Sequence, residues 1–291
     1  MKRLEVDEGP APESIVPDFL SSSGKTLVMG VLNVTPDSLS DGGHFFETDK
    51  AIAHALRMAE EGADFIDIGG ESTRPFSDPI SDQEEMDRVI PIIEELRKRV
   101  GTHISIDTTK AVVAREAVNA GAALINDISA LRFDPQMALT AAALKAPVAL
   151  MHMKGTPKNM QVNPTYDDLM GELIEFFRER IDYAAAAGIP ENRIIIDPGI
   201  GFGKTFDHNL MILNRLRELT SLGRPLLLGT SRKAFIGKIT GAETAGERDT
   251  GTGATTAIGV YHGARIIRAH NVLMTRHIVD VTDAIKRERI G

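Results

Sequence analysis

Eight short apolar runs recur along the chain, separated by longer segments whose apolar positions repeat at helical spacing. The runs are Leu27–Val34, Asp64–Ile68, His103–Ile106, Ala123–Asn126, Pro147–Met151, Arg193–Ile196, Pro225–Leu228 and Arg265–Arg268. They do not alternate polar with apolar, which is the pattern of parallel strands buried on both faces. Between the first two, Ile52, Ala55, Leu56 and Ala59 line one helical face, with Gly62 placed to end it. Met86, Val89, Ile90, Ile93 and Leu96 repeat that face in a second helix, which Ser81 and Glu84 open at capping-box spacing. Tyr166–Ala187 and Asn209–Leu219 read as further helices. Eight strand–helix repeats in about 260 residues, with no linker, predict one closed α/β unit. The expected fold is a single (β/α)8 TIM barrel over residues 25–291, with residues 1–24 as an N-terminal tail or cap.

Composition narrows the function. With 291 residues, 42% of them apolar, the chain can fill one large core. A net charge of −8 excludes a general nucleic-acid binder, which needs a basic surface, but not a site for a small anion. No apolar run reaches membrane-spanning length, and the acidic, proline-broken N-terminus has no secretory core. The expectation is a cytoplasmic protein acting on small molecules. With no cysteine, any metal must sit on oxygen or histidine.

In such a barrel, chemistry collects on the loops that follow the strands. The unusual polar clusters lie there: Asn33–Gly43, Gly69–Pro75, Asp107-Thr108, Asn126-Asp127, Met151-His152-Met153, Asp197–Lys204, Gly229–Lys233 and Arg268–Asn271. Each has a plainer reading. Asp107 could cap a helix, Asn126 could bond backbone, Met151 could fill core, His152 could be buried and satisfied, and Gly199–Gly203 could simply be a tight turn. Their convergence points to a site. Asp107, Asn126 and Asp197 can accept from a planar heterocycle rich in N–H groups, while Lys233 and Arg268 supply donors and a stacking face. Asn33, Thr73, Arg74 and His270 suit a phosphate-like anion, with Mg2+ held mainly by phosphate oxygens and water. The first two loops read as closing lids.

NVTPDSLSDGG (Asn33–Gly43), DIGGESTRP (Asp67–Pro75), Ile106–Thr108, Asn126-Asp127, DPGIGFG (Asp197–Gly203), Ser231-Arg232-Lys233 and Ile267–His270 closely resemble, in order and spacing, the signatures of the dihydropteroate synthases. The resemblance implies condensation of 6-hydroxymethyl-7,8-dihydropterin pyrophosphate with p-aminobenzoate, giving 7,8-dihydropteroate and pyrophosphate by a dissociative route. It implies a pterin set of Asp107, Asn126, Met151, Asp197, Phe202, Lys233 and Arg268. The pyrophosphate end would be Asn33, Thr73, Arg268 and His270, with Asn33 toward Mg2+. The aminobenzoate pocket would be Leu39, Thr73, Arg74, Phe76, Lys233 and Ala234. Asp41, Asp107, Lys233 and Arg268 are the expected catalytic groups, and a homodimer is the expected assembly.

Three positions depart from the family pattern, which usually has phenylalanine at Leu39, glycine at Phe76 and often serine at Ala234. All three fall around the implied aminobenzoate pocket. One reading is drift in loops. The other is a displaced aromatic wall that rejects sulfonamides, bulkier mimics of p-aminobenzoate, as in a drug-resistant enzyme. Two rival functions share the barrel: a methyltetrahydrofolate-dependent methyltransferase and a non-catalytic pterin-binding module.

Overall fold

The computed structural model describes residues 24–34, 44–73 and 77–290. The expected N-terminal tail therefore lies, but for Gly24, outside the described residues. Eight parallel strands close in chain order: β1 (Leu27–Asn33), β2 (Phe65–Gly69), β3 (His103–Asp107), β4 (Leu124–Asp127), β5 (Val148–Met151), β6 (Ile194–Asp197), β7 (Leu226–Leu228) and β8 (Ala264–Ala269). β8 pairs back onto β1, so no edge is left open. Every expected strand is present, and no boundary moves by more than one residue.

Helices cover the outside. They are α1 (His44–Glu60), α2 (Asp82–Arg99), α3 (Ala111–Ala120), α4 (Met137–Ala143), α5 (Leu169–Ala186) and α6 (Phe206–Arg215). Two more, α7 (Ala234–Thr240) and α8 (Asp249–Tyr261), lie between β7 and β8, and α9 (Val272–Arg287) follows β8. Among the described residues no helix is long and apolar enough to cross a membrane.

The helix ends differ from expectation for local reasons. Ser81 accepts from the Glu84 N–H at 3.2 Å, but the Glu84 carboxylate turns to Arg88, so only half of the expected capping box forms. The complete box is at α6, where Thr205 and His208 exchange both bonds. The expected helix Asn209–Leu219 is two pieces, α6 and a 3-10 stretch over Leu216–Leu222. α5 starts at Leu169 rather than Tyr166, whose hydroxyl instead donates to the Gly203 carbonyl at 2.7 Å.

Strand alternation sorts the barrel into two cores. Outward side chains such as Ile66, Ile104, Ile125, Leu150 and Ile267 join the helices in the main core. Met29, Phe65, Leu124, Ala149, Ile195, Leu227 and Ile266 pack together separately as the inner plug. Each large member contributes about 1.5–3 kcal/mol by leaving water. Two residues further along the same strand faces stand Asp67, Asn126, Met151, Asp197 and Arg268. Asp107 joins this layer, since it pairs directly with Asn126. One polar layer thus rests on one apolar layer.

Candidate active site

The polar layer is tied together across the barrel. Arg268 on β8 donates from Nε to Asp67 Oδ2 at 2.6 Å and from Nη2 to Asp107 Oδ2 at 2.8 Å. Asn126 Nδ2 donates to the same Asp67 oxygen at 3.1 Å. Asp67 Oδ1 is buried and has no hydrogen-bond partner among the described residues. On the far side, Asp197 Oδ1 accepts from the Gly199 N–H at 2.7 Å. Lys233 Nζ lies 4.3 Å from the centroid of the Phe202 ring, a cation–π contact that fixes both. Phe202 in turn packs on the methionine cluster containing Met151.

Backbone geometry sets this wall. Gly199 has φ +66°, and a Cβ there would sit 2.0 Å from the His152 carbonyl oxygen. Only glycine lets the β6–α6 loop touch the β5–α5 loop so closely. Lys204 closes the same contact, with Nζ 2.9 Å from His152 Nδ1 and bonded to the carbonyls of His152 and Phe202.

Burial in this layer moves the titrations toward neutrality. It pushes the Asp107 carboxyl up to about 7, a rise that Arg268 opposes and that Asp67, Glu85 and Asp127 increase. Asp197 is pushed up to about 6, again by burial, against the Gly199 N–H and the Lys233 and Arg268 charges. Burial draws Lys233 down to about 8, helped by Arg268 and resisted by Asp197 and Asp107. Burial also pulls Arg268 downward, but Asp67 and Asp107 together leave it above its ordinary value. His270 falls to about 4 through burial and the nearby Arg268, Arg232 and Lys233 charges, so it is a neutral imidazole at pH 7. A ligand that donates N–H groups to Asp107 and Asp197 would restore their ionised forms, since hydrogen bonds to a carboxylate favour it.

The structure therefore brings Asp107, Asn126, Met151, Asp197, Phe202, Lys233 and Arg268 into one mouth. Asp107 is not a helix cap: the N-cap of α3 is Lys110. Asn126 bonds a side chain rather than backbone, whereas His152 is indeed a buried, satisfied histidine. Asp127, its strand neighbour, serves structure instead, accepting from the Ser129 and Leu131 N–H groups at 2.7 and 2.9 Å. His270 stands at the rim, its Nδ1 2.9 Å from Ser231 Oγ. Asn33 ends β1, opposite Gly69 in register. Thr73 lines a cleft of about 290 Å3 that also takes in Asp107 and Lys110. Ala234 is exposed at the first turn of α7. Leu39, Asp41, Arg74 and Phe76 lie outside the described residues.

Two groups that the sequence reading placed in motifs without a role prove to hold the site together. Asp67 holds Arg268, and its signal was an acid at the inward position of an otherwise apolar strand, FIDIG. Lys204, the last residue of the Asp197–Lys204 cluster, was given no role there, yet it is 2% exposed and bonded inside the site wall.

Proteins of known family share much of this sequence and this barrel. The family model described as pterin binding enzyme matches residues 29–270. A dihydropteroate synthase from Synechocystis sp. is 47% identical over 281 residues, covering 97% of both chains. The solved dihydropteroate synthase of Yersinia pestis in complex with a sulfonamide drug is 46% identical, with a TM-score of 0.86, over 90% of this chain and 95% of that one. The Xanthomonas albilineans dihydropteroate synthase with 4-aminobenzoic acid is 45% identical, with a TM-score of 0.85, over 90% and 93%.

Proposed function

Because this chain belongs to the pterin-binding enzymes, as a dihydropteroate synthase, we infer that its barrel mouth joins 6-hydroxymethyl-7,8-dihydropterin pyrophosphate to p-aminobenzoate. The observation that carries the site assignment is the pair of carboxylates, Asp197 buried and Asp107 only 9% exposed, facing Arg268 and Lys233 over an apolar plug. Those acids accept from the N–H edges of the pterin. With Nδ2 committed to Asp67, Asn126 Oδ1 is the atom left to accept beside them. Lys233 donates to the ring carbonyl, and Met151 and Phe202 form a wall against the ring. Arg268, held by Asp67 and Asp107, flanks the reacting methylene and stabilises charge growing on the departing pyrophosphate. His270, neutral and bonded to Ser231, and Thr73 bind the pyrophosphate end. The carboxylates stabilise the cation left on the pterin, and the aniline nitrogen then attacks and releases its proton. Thr73, Ala234 and the loops bearing Leu39, Asp41, Arg74 and Phe76 hold the aminobenzoate.

The donor set also bears on Mg2+. Among the described residues no group of three histidine or carboxylate side chains could hold a metal ion. Asn33 offers one neutral amide oxygen, facing Gly69. That fits an ion whose other ligands are phosphate oxygens and water. Bound at Asn33, Mg2+ would neutralise charge on the leaving pyrophosphate. The wider reading is a cytoplasmic homodimer, supported by family membership alone.

Pyrophosphate release from the pterin pyrophosphate, with Mg2+, is expected to require p-aminobenzoate. Tight pterin binding with no such turnover would point instead to the binding module or the methyltransferase.

The departures at Leu39, Phe76 and Ala234 support an aminobenzoate pocket with reduced sulfonamide sensitivity. Leu39→Phe combined with Phe76→Gly is expected to lower the sulfonamide inhibition constant about tenfold or more, the scale of a changed apolar contact. An unchanged constant in a competition assay would remove this reading.

A further inference from the structure

Arg232 is a residue with a side chain held at φ +59°, a left-handed conformation that costs energy away from glycine. It sits between Ser231 and Lys233, so that reversal aims Lys233 at the Phe202 ring while Ser231 reaches His270. Something must hold it there.

The start of α8, with Arg248 just before it, does so through both the backbone and the guanidinium. Asp249 grips the guanidinium with both oxygens, from Nε at 2.8 Å and from Nη2 at 3.0 Å. Thr252 Oγ1 accepts from the Arg232 N–H at 3.0 Å, and Arg248 Nη1 donates to the Arg232 carbonyl at 3.1 Å. One turn further, Thr255 Oγ1 donates to Thr230 Oγ1 at 2.8 Å. Asp249 Oδ2 also accepts from Asn271 Nδ2 at 3.0 Å, and Asn271 Oδ1 caps α9 through the Met274 N–H at 3.1 Å. Asn271 directly follows His270, so one carboxylate joins the loop after β7 to the loop after β8. Arg232 and Asn271 hold that carboxylate below its ordinary value against a modest burial effect.

We propose that Asp249 is a positioning residue for the condensation: through Arg232 and Asn271 it sets where Lys233 and His270 stand. Both of its carboxylate oxygens are engaged, by Arg232 and Asn271. The proposal rests on Lys233 and His270 serving the pterin pyrophosphate, as argued above.

The test uses the full chain as Asp249→Asn, Arg232→Gly, and the two combined. Asp249→Asn is expected to lower kcat/KM for the pterin pyrophosphate about tenfold or more, with the aminobenzoate KM moving less than about threefold. Glycine adopts the left-handed turn unaided, so in the Arg232→Gly chain the same change should cost less than about threefold. An equal loss in both backgrounds, or a lowered melting temperature with unchanged kinetics, overturns the proposal. Should the Arg232→Gly chains not fold, Asp249→Glu replaces them. Activity nearer native than that of Asp249→Asn supports the clamp, and an equal loss overturns it. Lys233→Met separates the two levels. If it leaves turnover intact, the site assignment falls and takes the proposal with it. If it is impaired while Asp249→Asn is not, only the clamp falls.

Discussion

Arg268→Met is expected to abolish measurable turnover and to destabilise the fold by about 3–5 kcal/mol, the penalty for stranding buried charge. Arg268 is the cation shared by Asp67 and Asp107, whose side chains are 0% and 9% exposed, and it is itself only 23% exposed. Methionine keeps much of the volume and none of the charge, so the loss reports electrostatics rather than a cavity. The pH dependence carries a definite sign. The Asp107 carboxyl lies at about 7 when folded, against 3.8 ordinarily, so the folded state holds the extra proton between those values. Stability from this group is therefore full below about 4 and is lost as pH rises toward 7. Arg268 opposes the upward shift, so its removal extends the losing range above 7. Urea unfolding should show the gap between variant and native protein widening from pH 6 to pH 8. A constant or narrowing gap would show that Arg268 does not offset these carboxylates.

Asp197→Asn is expected to lower kcat/KM for the pterin pyrophosphate by about 100- to 1,000-fold, the scale of removing one partner from a buried charged contact. The amide retains the shape of the acid but puts a donor where the pterin also donates. The aminobenzoate KM should move little, because Asp197 ends β6, deep beside Gly199 and Lys233. A second consequence follows through Lys233. Its ammonium titrates at about 8, and Asp197 is one of the charges holding it that high. Without Asp197 the lysine loses its proton at lower pH, so the alkaline limb of the rate profile moves toward acid. Steady-state kinetics across pH checks both points. A defect confined to aminobenzoate would place Asp197 in the wrong half of the site.

The strands were legible because burial on two faces leaves an uninterrupted apolar run, and a run of that kind has few other uses. The loop residues were legible because Asp107, Asn126, Asp197 and Arg268 sit at the ends of those runs. Asp67 was harder, being inside one; only strand alternation, which puts it on the face of Phe65, exposes it as a member of the site. α8 was hidden for a different reason. Its sequence, DTGTGATTAIGVY, looks like a loop, and it packs through Thr252, Gly253, Thr256 and Gly259 with little amphipathic contrast. The α6 start was hidden because histidine, not glutamate, completes its cap. Arg232 carries no sequence sign of its left-handed backbone, which becomes visible only when α8 is seen around it.

The apolar plug beneath a tied polar layer has a consequence for escape from inhibition. A compound that leaned only on Asp107, Asn126 and Arg268 would press on groups that, with Asp67, are bonded to one another across the barrel mouth. A substitution that evaded it would disable the pterin site and loosen the fold together. Heritable resistance to such a compound would have to arise elsewhere, in the amount of enzyme made or in uptake of the drug, rather than in the wall it touches.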